Sequence, residues 1–455
     1  MKKYIIVPLI IFLILPSLQS CKKYLDEKSD AALVVPSTIA DFQNLLDDGN
    51  TMNYSMPSLG IASADDYFID NAAYNSKSIL FQHIYKWAPY PYKFQNDWSY
   101  CYKAIYSSNL CLERLALLPR TDANAGEWDN IKGSALFYKA YRHLELALLF
   151  AKAYDESTAD SDLGIVLRQG TDFLQASLRS TVRGSYQKII DDTKLAAGLL
   201  PDEALVATRP SRCAAYALLA RTYTAMRMYD SAGKYANLSL VIRSSLMNYN
   251  DAAVVSRSAP NPFRIFNSEV IFHGTASVWV TLHHPSSGPA KIDTALWGLY
   301  NMNDLRREAF FTPVAGYQRF KGSYSGSASN LFSGLATDEM LLTRAECKAR
   351  EGDKVAALND LNILLQQRYA PVNFVLVEAS TAEAALDSIL LERRKELLYR
   401  GSLRWMDVKR LNKEGRDIIM KRMVNNELFS MPPNDKRFAL QIPDDVIQLS
   451  GMQQN

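Results

Sequence analysis

The fold turns on two stretches, SRCAAYALLARTYTAMRMYDSAGKYANLSL at 211–240 and TDEMLLTRAECKAREGDKVAALNDLNILLQQR at 337–368. Set in register, Leu218-Leu219 falls on Leu341-Leu342, Arg221 on Arg344 and Asp230 on Asp353. Each stretch predicts an amphipathic helix, a turn (Met228-Tyr229-Asp230; Glu351-Gly352-Asp353) and a second helix with small residues at close-packing positions. A helix pair of this kind leaves an apolar face that a neighbouring pair must cover. The alternative is two unrelated hairpins that share generic amphipathicity.

Working outward, helix-pair patterns recur at 128–154 with 184–200, and at 381–411, which is one long helix or a pair broken at Gly401. A further helix is predicted over 98–118, closing at Pro119, and a short one over 38–48 with Ser37 as N-cap. The expected fold is mostly α, a scaffold of tetratricopeptide-like helix pairs carrying a large, irregular, loop-rich insertion. Its regions are an N-terminal helical part with ligand loops (37–247), the insertion (248–336), and a C-terminal helical part with an extended tail (337–455). The two matched copies are far apart in the chain, so no continuous solenoid is expected. Residues 50–77, rich in Asn, Ser, Asp and Tyr, predict a long surface loop.

The beginning of the chain is a targeting segment. Lys2 and Lys3 precede an apolar run at 5–15, which is shorter than the roughly 20 residues a helix needs to span a bilayer. It ends in Leu18-Gln19-Ser20-Cys21, which resembles a lipobox, with Gln19 where a small residue is usual. This predicts a lipoprotein-type signal peptide (1–20), a lipid on Cys21, and a lipid-anchored tether (21–36). Acyl chains add about 0.8 kcal/mol per buried CH₂. A formal net charge of +3 is too small to argue for nucleic acid as a partner. Cys101 and Cys111 are ten apart in one helical stretch, roughly 15 Å, too far for a disulfide, so buried thiols are expected there and at Cys213 and Cys347.

No nucleophile elbow, P-loop, zincin or dinucleotide motif occurs, so neither a catalytic residue nor a cofactor is predicted. His283-His284 is the only histidine pair. Neighbours in a strand point to opposite faces, so no metal is assigned to it. Asp65-Asp66 is read as positioning its loop through turn hydrogen bonds, with ligand contact as the alternative. The densest polar cluster is Glu392-Arg393-Arg394-Lys395-Glu396, followed beyond Gly401 by Arg404-Trp405-Met406-Asp407-Val408-Lys409-Arg410. Glu392, Arg393, Glu396, Arg404 and Asp407 are read as a partly buried ion network fixing a helix crossing, with Arg404 and Asp407 in range to pair and Trp405 as packing anchor.

That cluster also resembles the C-terminal signature of the SusD/RagB family of outer-membrane nutrient-binding lipoproteins, with Arg400 where Glu is usual and Leu403 where His is common. Three other stretches agree: Cys21 followed by Tyr24-Leu25-Asp26; Leu149 to Tyr154 leading into Asp162-Leu163-Gly164-Ile165; and Ile442-Pro443 near a chain end at Asn455. The resemblance implies a non-enzymatic lipoprotein facing the cell exterior. It would sit as a lid on a SusC-like TonB-dependent transporter and pass it an oligosaccharide or peptide. Capture by stacking needs aromatic platforms. The candidates are Tyr67, Tyr74, Trp87 and Tyr90 from the N-terminal loops, and Trp279, Trp297 and Tyr300 from the insertion. A lipid-anchored glycoside hydrolase and a tetratricopeptide scaffold for protein partners are the rival classes.

Overall fold

The computed structural model describes residues 36–280 and 288–455. The expected signal peptide, Cys21, most of the tether and His283-His284 therefore lie outside the described residues. From Thr38 onward the chain forms one compact unit. Among the described residues no helix is long and apolar enough to cross a membrane.

Among the described residues, nine longer helices carry the architecture: α1 (Asp97–Leu115), α2 (Ala125–Phe150), α3 (Val182–Leu199), α4 (Arg212–Ala225), α5 (Tyr229–Ile242), α6 (Thr337–Arg350), α7 (Lys354–Gln366), α8 (Ala382–Glu396) and α9 (Leu403–Asn412). Each of α1 to α6 packs on the next, α7 packs on α6, and α8 covers both α6 and α7. The matched copies, α4–α5 and α6–α7, are thus direct neighbours, and the stack is continuous in space although broken in sequence. This corrects the expectation of an interrupted solenoid. The physical reason lies in how the insertion closes: its strand Val270–Phe272 pairs antiparallel with Leu335–Ala336 at its C-terminal end, so residues 273–334 leave and return at one place. Closing a long loop adds little entropy beyond closing a short one.

Small residues make the helix contacts close. Ala214, Ala217, Ala220, Ala232 and Ala236 are all fully buried. A Cβ on Gly233 of α5 would stand 3.0 Å from Cys347 Cβ of α6, so glycine there permits the approach. All four cysteines of the described residues are buried and free, as their helical spacing predicts. The matched arginines diverge: Arg221 reaches Glu339 of the next pair at 2.6 Å, whereas Arg344 pairs with Asp360 of its own partner helix at 2.8 Å.

Two local readings change. The first short helix, Ile39–Leu46, is capped by Thr38 in a capping box with Asp41, one residue after the expected Ser37. Residues 50–77 are no surface loop: they form short helices at Gly49–Met52, Leu59–Ser63 and Asn71–Asn75, and much of the segment is buried. Small side chains (Ser58, Gly60, Ala62, Ser63) let it pass under α9, where a Cβ on Gly60 would meet Ser402. Among the described residues the strands pair only in twos and serve as loop clasps.

Candidate functional site

The signature cluster is built by α8 and α9, which Gly401 separates at φ +54°, a conformation that favours glycine. Asp407 accepts from Arg393 Nε at 2.9 Å and from Arg410 Nε at 2.7 Å; Arg410 also grips Glu346 of α6. Burial opposes ionisation of Asp407, but Arg393 and Arg410 outweigh it and hold its carboxyl below the usual range. On the other face, fully buried Arg306 gathers Asp304, Glu392 and Glu396 at 2.8, 2.6 and 2.9 Å. Arg368 bridges Glu396 to Glu269, both at 2.8 Å. Glu392, Arg393, Glu396 and Asp407 are therefore buried partners of arginines or carboxylates from other elements, and Arg404 is half-buried. Trp405 is fully buried against Phe438, as an anchor should be.

One pairing differs from the expectation. Arg404 does not bond Asp407; it forks onto Asp65 at 2.7 and 2.9 Å, with Arg394 adding a third contact at 3.2 Å. A bidentate grip across the fold outcompetes a pair one helical turn away. Asp65-Asp66 thus positions its segment through these guanidinium contacts and not through turn hydrogen bonds alone. Burial raises the Asp66 carboxyl to about 6, with Arg394 pulling the other way. Arg400, which departs from the family pattern, finds Asp338 at 2.8 Å and lies on the Tyr324 ring at 3.8 Å.

The aromatic candidates separate sharply. Tyr67, Tyr74, Trp87, Tyr90 and Tyr300 are buried, at most 6% exposed, and offer no ring face to a ligand, which corrects their reading as platforms. Their environment explains it. Arg422 enters among Tyr67, Tyr85 and Trp87 with its guanidinium 4.8, 4.2 and 4.7 Å from the rings, while donating to the carbonyls of Ala62 and Ala64. Tyr300 donates from its hydroxyl to Lys395 O at 2.8 Å, beneath the Arg306 cluster. Tyr67, Trp87 and Tyr300 are thus cation–π walls for buried arginines. Trp297 is partly buried with Arg307 3.8 Å over its ring.

Of the seven candidates, Trp279 keeps a partly open ring on which, among the described residues, no cation lies. It stacks on Tyr92 at 5.5 Å and 29°, and Tyr92 donates from its hydroxyl to Gln441 O at 2.7 Å. Val278 beside it is 62% exposed, and Phe94, two residues beyond Tyr92, is 70% exposed. Phe94 ends an alternating run, Tyr90, Tyr92 and Phe94, of which sequence reasoning took up only Tyr90. Nor did the sequence point to a cavity of about 610 Å³ between α1, the 166–177 loop and the C-terminal helix Asp444–Ser450.

Two family patterns match the chain. A SusD-like family described as "Starch-binding associating with outer membrane" matches residues 23–224, and the SusD family matches 337–455. The chain belongs to the SusD/RagB family. Solved structures resemble this SusD/RagB chain over nearly its whole length. A putative sugar binding protein from Bacteroides vulgatus is 19% identical, with a TM-score of 0.75, over 93% of this chain and 99% of its own. A SusD superfamily protein from Bacteroides thetaiotaomicron is 22% identical, with a TM-score of 0.73, over 92% and 99%. A SusD-like carbohydrate binding protein from Bacteroides vulgatus is 18% identical, with a TM-score of 0.70, over 91% and 97%. At these identities the structures establish a shared fold. No curated protein matches the chain.

Proposed function

We propose that this SusD/RagB-family chain is a lipoprotein of the outer-membrane surface, anchored through Cys21. It captures an oligosaccharide and delivers it to a SusC-like TonB-dependent transporter without covalent chemistry. Family membership supports the reading. So do the names of two relatives of the same fold, one a putative sugar binding protein and one a carbohydrate binding protein.

The observation that carries a location is Trp279 on Tyr92 with Phe94 nearby: an aromatic surface that survives folding, where the apolar C–H face of a pyranose can lie. The clustered carboxylates are engaged by arginines, so neither Glu392 nor Glu396 stands free as a proton donor. Screening against a glycan library identifies the ligand, and titration of Trp279→Ala with Phe94→Ala tests the site. The double variant is expected to lose at least about tenfold in affinity, roughly 1.4 kcal/mol, at unchanged Tm. Wild-type affinity in that variant would remove the platform from the Trp279 surface, and release of reducing ends from any bound polysaccharide would replace capture by hydrolysis. Cys21→Ala is expected to leave the membrane fraction.

A further inference from the structure

None of Trp279, Tyr92 and Phe94 lines the cavity of about 610 Å³, although Phe94 N donates to Asp445 at the start of the helix that forms one of its walls. Its floor is Ile105, Tyr106 and Asn109 of α1; Val166, Phe173 and the loop around them form one side; Val446, Leu449 and Met452 close the other. A cavity of this size is in the range that holds a small ligand.

The loop that makes one wall is tied down. Glu113 of α1 accepts from Thr171 N at 2.8 Å and from Thr171 Oγ1 at 2.5 Å. Arg168 donates within its own loop, to Gln175 O at 2.7 Å and Ser177 Oγ at 2.7 Å. Its terminal nitrogens are therefore occupied in holding the loop, which leaves them poorly placed to pair a ligand anion. Tyr106 and Phe173 line the cavity as a stacked pair, 5.2 Å apart at 23°. Phe173 is 79% exposed and Leu449 89%, so apolar surface stands open at the mouth.

One polar group is unmatched. Asn109, only 1% exposed, donates through Nδ2 to the carbonyls of Arg168 and Gly170, both at 3.2 Å, which fixes its amide. Among the described residues no donor reaches its Oδ1. A buried acceptor without a donor costs about 1–3 kcal/mol, so a group that supplies an N–H or O–H there is favoured.

We propose that this cavity is a second binding site, separate from the saccharide surface, for a neutral aromatic ring that carries a hydrogen-bond donor, of the phenol or indole class. Aliphatic walls at Ile105, Val166, Val446 and Met452 bury such a ring well. The polar side chains of the lining, Thr171, Asp172, Ser177 and Ser450, are already bonded within the protein, so a bare sugar would lose water from its hydroxyls and find few partners. The ring can come from two sources, an aryl group attached to a glycan or an aromatic side chain of a peptide, and both satisfy Asn109 Oδ1 in the same way.

The test uses two neutral probes on the full-length protein: the 4-hydroxyphenyl glucoside arbutin for the first source and N-acetyltryptophanamide for the second. Maltotriose is the control without an aromatic ring. Titration calorimetry of wild type, Phe173→Ala and Leu449→Asp gives the readout; both changes are at exposed positions and leave folding intact. At least one aromatic probe is expected to saturate, and each variant to weaken it about tenfold or more, whereas Phe94→Ala leaves it unchanged. The tighter probe assigns the source. The proposal is overturned if neither probe saturates below about 10 mM, if both variants bind as wild type does, or if maltotriose displaces the probes. Because Phe94→Ala and Trp279→Ala report on saccharide capture, failure here and failure of that function are distinguishable.

Discussion

The charges of 392–410 and the aromatics scattered over 67–90 and 279–300 are the two richest collections of chemistry-bearing side chains, and folding treats them alike with opposite consequences for function. Both go inside. The charges were expected in a partly buried network, and folding completes it with counter-charges from other elements, while Lys409 donates to the carbonyls of Leu148 and Ala151. The aromatics were candidate platforms, each with core packing as the alternative, and burial withdraws five of seven, three of them around Arg422 or beneath the Arg306 cluster. The lesson is that a ring and a guanidinium are complementary in the interior. A chain with many arginines to bury uses its tyrosines and tryptophans to do so.

Three measurements break or sharpen this contrast. The largest effect is expected for Asp407→Asn, which leaves Arg393 and Arg410 without their shared carboxylate. Breaking a buried pair in this way costs about 3–5 kcal/mol, so the urea midpoint should collapse or the protein fail to express. A soluble variant with native stability that has lost only ligand affinity would make the cluster a functional site.

The second concerns pH. Asp338 sits among Arg400, Glu269, Glu396 and Arg368; burial raises its carboxyl to about 7, with Arg400 opposing and the two glutamates adding to the rise. The folded chain thus holds a proton that the unfolded chain releases near its ordinary value of 3.8. The stability this contributes is full below about 4, falls as pH rises towards 7, and is absent above. Asp407, held low by its arginines, acts in the opposite sense and loses its contribution only as pH falls below 4. Unfolding of Asp338→Asn measured from pH 4.5 to 8 is expected to show a flatter profile than wild type. Identical slopes would remove Asp338 from the account.

The smallest effect separates packing from recognition among the aromatics. Tyr300→Phe deletes the hydroxyl that donates to Lys395 O, expected to cost about 1 kcal/mol of stability while glycan affinity stays unchanged. An affinity loss at wild-type Tm would return Tyr300 to the ligand site.

Much of the scaffold was legible because helical periodicity is local. The helix pairs, the break at Gly401 and the turn of each matched pair all follow from residues within one or two turns of each other. The burial of the signature charges was legible too, but not their partners. Spacing offered Asp407 to Arg404, and the structure gave it Arg393 and Arg410 while Asp65, from the other end of the chain, took Arg404. Asp65 could not have been found by periodicity, since no local rule links positions so far apart.

By itself, then, the sequence determined the helix pairs, the free buried thiols, the packing role of Trp405 and, through resemblance, the SusD/RagB family. Tertiary structure alone decided that the two matched pairs touch and which ring stays open. It also decided that a loop tied to α1 by Glu113 and Asn109 encloses a cavity. The division follows from range. Backbone hydrogen bonds and apolar stripes act within a few residues. Exposure and charge pairing depend on what arrives from elsewhere in the chain, and only the packed fold brings it there.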